Sequence, residues 1–364
     1  MKERWPLISI IVVSYDGLAL TERCLKSILE NTEYPNYEVI LVFYGSPPPK
    51  ASPSPDSRIR MIRVEGNIGY SEANNLGLRH ARGQFIAFLN NDTVVERGWL
   101  KALYDSLTAS GPDVAAVQSK LLLLGHHGRI DAVGLAFSPL GFLRPVGFME
   151  PDEGQYDSVH ELCVIQPAAC LIRRSVIEEV GGLFDPDYFW GHEDTDFSIR
   201  LHLRGYRMLF CPSSVVYHVR SATISRARPE SLTYYFRRNV LLTMLKNYGL
   251  KMLLRYLPAH LAILTGMVLW YLASGQGLHA LAVLKALWWN LRNLKATLAK
   301  RALIQARVRK VPDEVLVEKL KGPSLVEIFS ARHMGPLTTV HLSARGEEKA
   351  SRKDFSSNRG RSPC

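Results

Sequence analysis

Short apolar runs alternate with amphipathic stretches through the first two thirds of the chain. Residues 7–13 (LISIIVV) read as a strand of a parallel sheet, since a strand covered on both faces needs no polar alternation. Residues 21–29 follow as a helix, with Leu20, Cys24, Leu25, Ile28 and Leu29 on one side. A second strand spans 37–43 and a third 59–64; the stretch 47–55 between them is too proline-dense for regular structure. The pattern then predicts a helix that opens over 67–75 and closes at Gly83, a fourth strand over 85–89 and another over 114–118. Residues 125–160 are glycine-rich and read as an irregular excursion or hairpin. The apolar run 164–172 leads into a short helix ended by Gly181 and Gly182. Phe197, Leu201 and Leu203 share the apolar face of a further helix, at whose start stand Glu193 and Asp194. Strands alternating with helices through short loops give an α/β open sheet, and in such sheets ligands bind beyond the carboxyl ends of the strands.

Three polar groups stand at those ends: Ser14-Tyr15-Asp16, Phe43-Tyr44-Gly45 and Asn90-Asn91-Asp92. Asn-Asn-Asp after an apolar strand is either an Asx-turn, its side chains bonded to their own backbone, or a site for a hard divalent ion. The acids of Glu193-Asp194-Thr195-Asp196 also have two readings. A helix N-terminus favours negative charge whatever the protein does. Alternatively, one carboxylate at the rim of a cleft is a general base for an attacking hydroxyl.

Composition changes this picture in two places. With 364 residues, 47% of them hydrophobic, the chain can build a large core, as one domain with an appendage or as two. Five cysteines without a CxxC pair, and an N-terminus that runs straight into a strand, suggest a reducing, cytoplasmic setting without a cleaved leader. The net charge of +11 arises late in the chain. Residues 1–250 hold 26 Lys and Arg against 27 Asp and Glu, whereas residues 251–340 hold 13 against 4 and residues 341–364 hold 6 against 3. No charged side chain occurs from Tyr256 to Leu284, and 285–310 then carries eight Lys and Arg and no acid. Basic residues placed behind an apolar stretch point away from nucleic acid and towards an anionic membrane. Leu257 to Ala273 is borderline against the ~20 residues that span a bilayer, which leaves a peripheral or an integral association open. Interfacial helices with Trp288 and Trp289 at headgroup level, a hairpin embedded in one leaflet, and a helical subdomain packed on the sheet are the alternatives. The expected division is a domain over 1–250, a membrane-associated helical region over 251–333 and a disordered basic tail over 334–364.

Taken in order, these pieces resemble glycosyltransferase family 2, and its rhamnosyltransferase-like members in particular. Ile8 to Tyr15 is similar to the family's first strand and nucleotide loop, and Asn67-Ile68-Gly69 with Asn74 to its Asn-x-Gly…Asn segment. Phe88-Leu89-Asn90-Asn91-Asp92-Thr93 is similar to a variant of its DXD motif. Gly181 to Arg200 resembles its Gly-Gly-Phe-Asp…Glu-Asp-x-Asp block, and Tyr234-Tyr235-Phe236-Arg237-Arg238-Asn239 a following Tyr-Tyr…Arg-Asn segment. The resemblance covers about residues 7–250. It implies the GT-A fold, an open, mostly parallel sheet flanked by helices, and inverting transfer of a sugar from a nucleoside diphosphate.

Carried onto the matching positions, it places Ser14, Tyr15, Asp16, Tyr44, Asn67, Gly69, Asn74, Asn90 and Asn91 at the donor. It implies that Asp92, with the downstream His218, holds Mg2+ or Mn2+ against the donor diphosphate. Asp194 becomes the base, Glu193 orients the acceptor or shapes the site, and Trp190 lies against the acceptor. The implied partners are a nucleotide-sugar and a glycan or lipid-linked acceptor in cell-surface polysaccharide or glycoconjugate synthesis, at the cytoplasmic side of the cell membrane. Two departures stand out. Phe43 and Tyr44 replace the Asp-Asn that commonly precedes Gly-Ser, and the DXD motif keeps only its last acid. They leave open a second reading, a catalytically degenerate nucleotide-sugar-binding subunit. A sugar nucleotidyltransferase would want a glycine-rich, basic loop after the first strand, which Ser14-Tyr15-Asp16-Gly17 does not supply.

Overall fold

The computed structural model describes residues 5–45, 49, 51–126, 128–158, 160–220 and 228–323. Up to β6 the elements run β1 (Ile8–Tyr15), α1 (Leu18–Asn31), β2 (Tyr37–Gly45), β3 (Ile59–Glu65), α2 (Tyr70–His80), β4 (Phe85–Asn90), β5 (Thr93–Val95), α3 (Trp99–Ala109) and β6 (Val114–Leu123). The irregular excursion contains three short strands, β7 (Ile130–Ala132), β8 (Leu135–Phe137) and β9 (Leu143–Pro145). Then come β10 (Ala169–Arg173), α4 (Arg174–Glu179), α5 (Glu193–Arg204) and β11 (Arg207–His218).

Nine strands form one sheet in the order β3-β2-β1-β4-β10-β6-β11-β5, with β7 on β6. β1 to β4, β6 and β11 run one way; β5, β7 and β10 run against them. The expected open, mostly parallel sheet is therefore present, and the reversed strands also serve its carboxyl edge. β10 enters from that edge, which brings Gln166, Pro167 and Ala168 to the rim, and Thr93 at the start of β5 pairs with His218 at the end of β11. The unbroken apolar run of β1 has its cause in two-sided burial: Ile8, Ile10 and Val12 pack with Cys24, Leu25 and Ile28 of α1, and Ile11 and Val13 pack in the opposite layer with Ala73 of α2.

The C-terminal third divides in two. α6 (Pro229–Asn247) lies on the sheet domain; α7 (Leu250–Ala273) and α8 (Gly277–Arg292) form a hairpin over a small core of its own, made of Leu264, Met267, Tyr271, Ala280 and Val283. α9 (Leu294–Leu303), a π-helical turn over Ile304–Val308 and α10 (Asp313–Lys319) then return to the main core, where Ile304, Val308, Leu316 and Leu320 are buried. Asp313 closes this return by accepting the Gly249 N–H at the start of α7, at 2.8 Å. Among the described residues of the region expected over 251–333, the α7–α8 hairpin leaves the broadest set of apolar side chains in solvent. The tail over 334–364 and residues 46–48 of the proline-rich loop lie outside the described residues.

Candidate active site

A cavity of about 380 Å³ opens at the carboxyl edge of the sheet. Its walls include Tyr15 and Tyr44 from the ends of β1 and β2, the β4–β5 turn, and the start of α5. Arg144 of β9 and Leu232, Phe236, Arg237 and Val240 of α6 also line it.

The Asn90-Asn91-Asp92 turn is not a self-bonded Asx-turn. Each side chain reaches another element. Asn91 donates to the Ser14 and Thr21 hydroxyls at 3.2 and 3.1 Å, tying the turn to the end of β1. Asn90 accepts from the Tyr70 hydroxyl at 3.0 Å. Asp92 faces His218, with Oδ1 3.1 Å from Nε2, while the other ring nitrogen lies 2.7 Å from Asp131, itself paired with Arg220. Burial disfavours charge on the His218 ring, but the Asp92 and Asp131 carboxylates outweigh it and push the ring up to about 10. Burial likewise opposes charge on Asp131, and His218 and Arg220 hold its carboxyl below the usual range.

This corner fits a divalent ion in its donor chemistry, since an ion bound there takes the place of the His218 Nε2 proton that faces Asp92. Asp92 and His218 both line the cavity, and a hard ion of this kind completes its shell with phosphate oxygens and water. Asp131, behind the ring, fixes its orientation as an outer-shell carboxylate does for a ligating histidine. Among the described residues no group of three or more His, Cys, Asp or Glu forms a complete protein shell.

The acids of α5 divide by position. The preceding loop is forced: Phe189, Gly191 and His192 all have positive φ, at 58°, 83° and 66°. Such backbone persists only when its surroundings over-determine it. Here Asn239 of α6 reaches the Trp190 and Gly191 carbonyls at 2.9 and 2.6 Å, and Arg238 the Tyr188 carbonyl at 2.7 Å. From the other side Ser71 N–H donates to the Phe189 carbonyl at 3.3 Å, an approach allowed because Gly69 has no side chain; a Cβ there would lie 2.6 Å from that oxygen. The loop delivers Glu193 and Asp194 into the cavity. Asp194 Oδ1 accepts the Thr195 N–H at 2.6 Å. Burial pushes both carboxyls up, and the Asp194 charge pushes Glu193 further. Glu193 Oε2 is buried with no hydrogen-bond partner.

Asp196, the third acid, points the other way. It is fully buried and accepts from Arg200 at 3.0 Å, Asn247 at 2.8 Å and Tyr188 at 3.2 Å, with Lys246 3.1 Å away. It joins α5 to α6 and lines no part of the cavity.

Of the residues expected at the donor, Tyr15, Tyr44, Asn90 and Asn91 line the cavity. Their neighbours play supporting parts. Ser14 is buried and receives hydrogen bonds from Thr21 and Asn91. Asn67 is exposed and accepts the Gly69 N–H at 3.0 Å. Asn74 is buried and bonded to the Tyr70 carbonyl at 2.9 Å. Asp16, exposed and with φ of 48°, sets its carboxylate over Gly45, where a Cβ would overlap it. A carboxylate from the turn after β1 thus stands at the end of β2, where Phe43 and Tyr44 replace the expected acid. Trp190 lines the cavity edge-on to Phe236, with ring centroids 5.5 Å apart. Sequence reading assigned no part to Tyr70, Asp131 and Arg237. The Tyr-Tyr…Arg-Asn segment flagged α6 without saying what its arginines and Asn239 hold.

The profile described as "Glycosyl transferase family group 2" matches residues 85–291, and that of "Glycosyl transferase family 2" matches residues 9–121. The chain is 29% identical to the O-antigen biosynthesis protein RfbC of Myxococcus xanthus over 60% of its length and 18% of that protein's. It is 30% identical to the uncharacterized glycosyltransferase EpsJ of Bacillus subtilis over 63% of each. Among solved structures, GalNAc-T7 with UDP, GalNAc and Mn2+ superposes with a TM-score of 0.53 at 17% identity, over 69% of this chain and 49% of that one, a likeness of fold. The chain spans 18% to 37% of the length of the first three relatives it matches.

Proposed function

Because the chain belongs to glycosyltransferase family 2, we propose that it is an inverting, metal-dependent transferase that moves a sugar from a nucleoside diphosphate to a hydroxyl of a glycan or lipid-linked acceptor in cell-surface polysaccharide synthesis. One observation carries the reading: Asp194 and the Asp92–His218 pair line the same cavity at the carboxyl edge of the sheet. The donor's diphosphate belongs at the Asp92–His218 corner, with Tyr15 and Tyr44 beside the nucleoside. Asp194 keeps Oδ2 for a proton, since Oδ1 is held by Thr195. The acceptor oxygen attacks the anomeric carbon from the face opposite the diphosphate as its proton passes to Asp194, and the bond from that carbon to the diphosphate oxygen breaks. A Mg2+ or Mn2+ ion held by Asp92 and His218 would offset the charge that grows on the leaving group. Trp190 offers the acceptor sugar an apolar face.

The test is a thermal-shift series with UDP, GDP and dTDP, with and without Mn2+, since a ligand of the folded state raises its melting temperature. One nucleotide is expected to stabilise the wild type only with metal. Asp92→Ala should lose that metal-dependent increment, and Asp131→Asn should weaken metal affinity by roughly ten- to a hundredfold. Equal stabilisation with and without Mn2+ would remove Asp92 and His218 from the metal role.

The reading includes a place at the cytoplasmic membrane surface. α7 is long and apolar enough to cross a bilayer by length and composition. However, its Met252, His260, Leu264, Met267 and Tyr271 are buried against the protein, which suits a helix lying flat. The hairpin exposes Leu261, Leu269, Trp270, Leu278, Trp288 and Leu291. No acid occurs between Glu230 and Asp313, so the face meets anionic headgroups without repulsion. The wild type is expected to sediment with vesicles containing phosphatidylglycerol and to release in high salt. Leu269→Asp with Trp288→Ala should cut that binding by about tenfold or more, as lost apolar burial implies. Equal binding of the variant and wild type would end the proposal.

A further inference from the structure

One charge in the cavity has no part in this chemistry. Arg237, in the middle of α6, lines the cavity and is only 9% exposed. Its Nε has no hydrogen-bond partner, and no ion pair to its guanidinium is found among the described residues. The other buried or half-buried arginines nearby are satisfied. Arg200 pairs with Asp196, Arg220 with Asp131, and Arg238 bonds the Tyr188 carbonyl while stacking on Trp289 and Tyr235. A buried cation without a partner costs stability, and proteins as a rule pair such charges. Burial pulls the Arg237 guanidinium below its usual range, with Tyr271 the opposing influence.

Its location says which ligand it awaits. Phe236, its neighbour on α6, packs edge-on against the rings of Trp190 and His192, with centroids 5.5 and 5.4 Å away, and His192 immediately precedes Glu193 and Asp194. His218 is paired with Asp92 and Asp131. Arg237 therefore belongs to the wall of the cavity where α6 meets the loop that carries the base. Arg144, exposed, lines the cavity as well, and so does Arg220, whose charge is taken by Asp131. The wall is continuous with the hairpin: Asn290 of α8 donates to the Arg238 carbonyl at 3.0 Å, and Thr233 and His279 meet at 2.9 Å.

On the transferase reading above, we propose that Arg237 is an acceptor-side anion subsite, and that the acceptor carries a phosphate or diphosphate ester next to the sugar that receives the transfer. The guanidinium fork suits the paired oxygens of such an ester. An acceptor anchored at the hairpin face would bring its phosphate along α6.

The experiment titrates the full chain, with Mn2+ and the stabilising nucleoside diphosphate at saturation, using farnesyl diphosphate as probe and farnesol as its uncharged control. Farnesyl diphosphate is expected to bind the wild type more tightly than farnesol does. Arg237→Gln should weaken farnesyl diphosphate by about tenfold or more, leave farnesol unchanged, and keep the affinity for the nucleoside diphosphate. Arg237→Lys should fall between the two. The ligand-free Arg237→Gln protein should melt at the wild-type temperature or above it, because an unpaired buried charge has been removed; a structural arginine would give the reverse. Unchanged farnesyl diphosphate affinity, or a lower melting temperature, overturns the proposal. Lost nucleoside diphosphate affinity also overturns it, by placing Arg237 at the donor. A wild type that binds no nucleoside diphosphate fails in a different arm; it sinks the transferase reading and the acceptor assignment with it.

Discussion

Asp194→Asn is expected to lower kcat by roughly a hundred- to ten-thousandfold, the range that a positioned general base contributes. The substitution keeps the shape of the side chain and the Oδ1 that accepts from Thr195. Metal-dependent nucleotide binding and the melting temperature should therefore stay near wild type. The same assignment fixes a pH profile. The base must be ionised, and burial raises its pKa in the folded protein. Activity should fall as pH drops, through a midpoint above the ordinary carboxylate value of about 4. Glu193 is raised by burial and then further by the Asp194 charge, so it holds its proton where Asp194 has lost its own. Glu193→Gln imitates that protonated state and should cost far less turnover than Asp194→Asn. Steady-state rates across pH for both variants decide the matter. If Glu193→Gln is the more damaging, or if Asp194→Asn retains turnover, the roles are assigned to the wrong acids.

The second large effect is structural. Asp196→Ala leaves Lys246 and Arg200 facing each other beneath α5 without their common carboxylate. Breaking a buried ion pair from one side costs about 3–5 kcal/mol. For a chain of this size that is a fall in melting temperature on the order of 10 °C. Asp185 stays paired with Lys246 and Lys300 at 2.6 Å each and softens the loss without replacing Asp196. The linkage has a sign. Burial opposes ionisation of Asp196, but Lys246 and Arg200 depress its pKa well below the carboxylate range. Its contribution is present at neutral pH and is lost as pH falls through that depressed value. Denaturant unfolding of wild type and variant measures it; a change below about 1 kcal/mol would mean that the network is dispensable. Three acids of one short motif thus carry two kinds of prediction, catalytic for Asp194 and Glu193, stabilising for Asp196.

The strands were readable because two-sided burial imposes continuous apolar runs such as 7–13, which no helix or loop of that length needs. The start of α5 was readable from the acids that precede its apolar face. The Asn-Asn-Asp turn was placed at a strand end but left between two readings, because a local bond and a bond to Ser14 look the same in one dimension. Asp131 carried no signal at all. It sits in the irregular excursion and acquires its role only where β7 pairs with β6 behind His218. For Asn67, Gly69 and Asn74 a donor contact is only what the family resemblance implies. The Asn67 side chain bonds the turn and that of Asn74 the helix backbone, while Gly69, without a side chain, admits the close approach of Phe189.

The sequence by itself determined the alternation of elements and the edge of the sheet where chemistry could occur, which follow from periodicity and from residue order along a strand, and its motifs in their order carried the resemblance to the family. Only the tertiary structure decided which acid faces the cavity and which is consumed in the core. It alone showed that 294–320 returns to the body while α7 and α8 stay exposed, and it alone left Arg237 buried without a counter-charge. Charge pairing and burial depend on what approaches from elsewhere in the chain. In Glu193-Asp194-Thr195-Asp196 the carboxylates are chemically alike, and the separation between them is made by Lys246, Arg200 and Asn247 arriving on one side of α5 while the other side is left open.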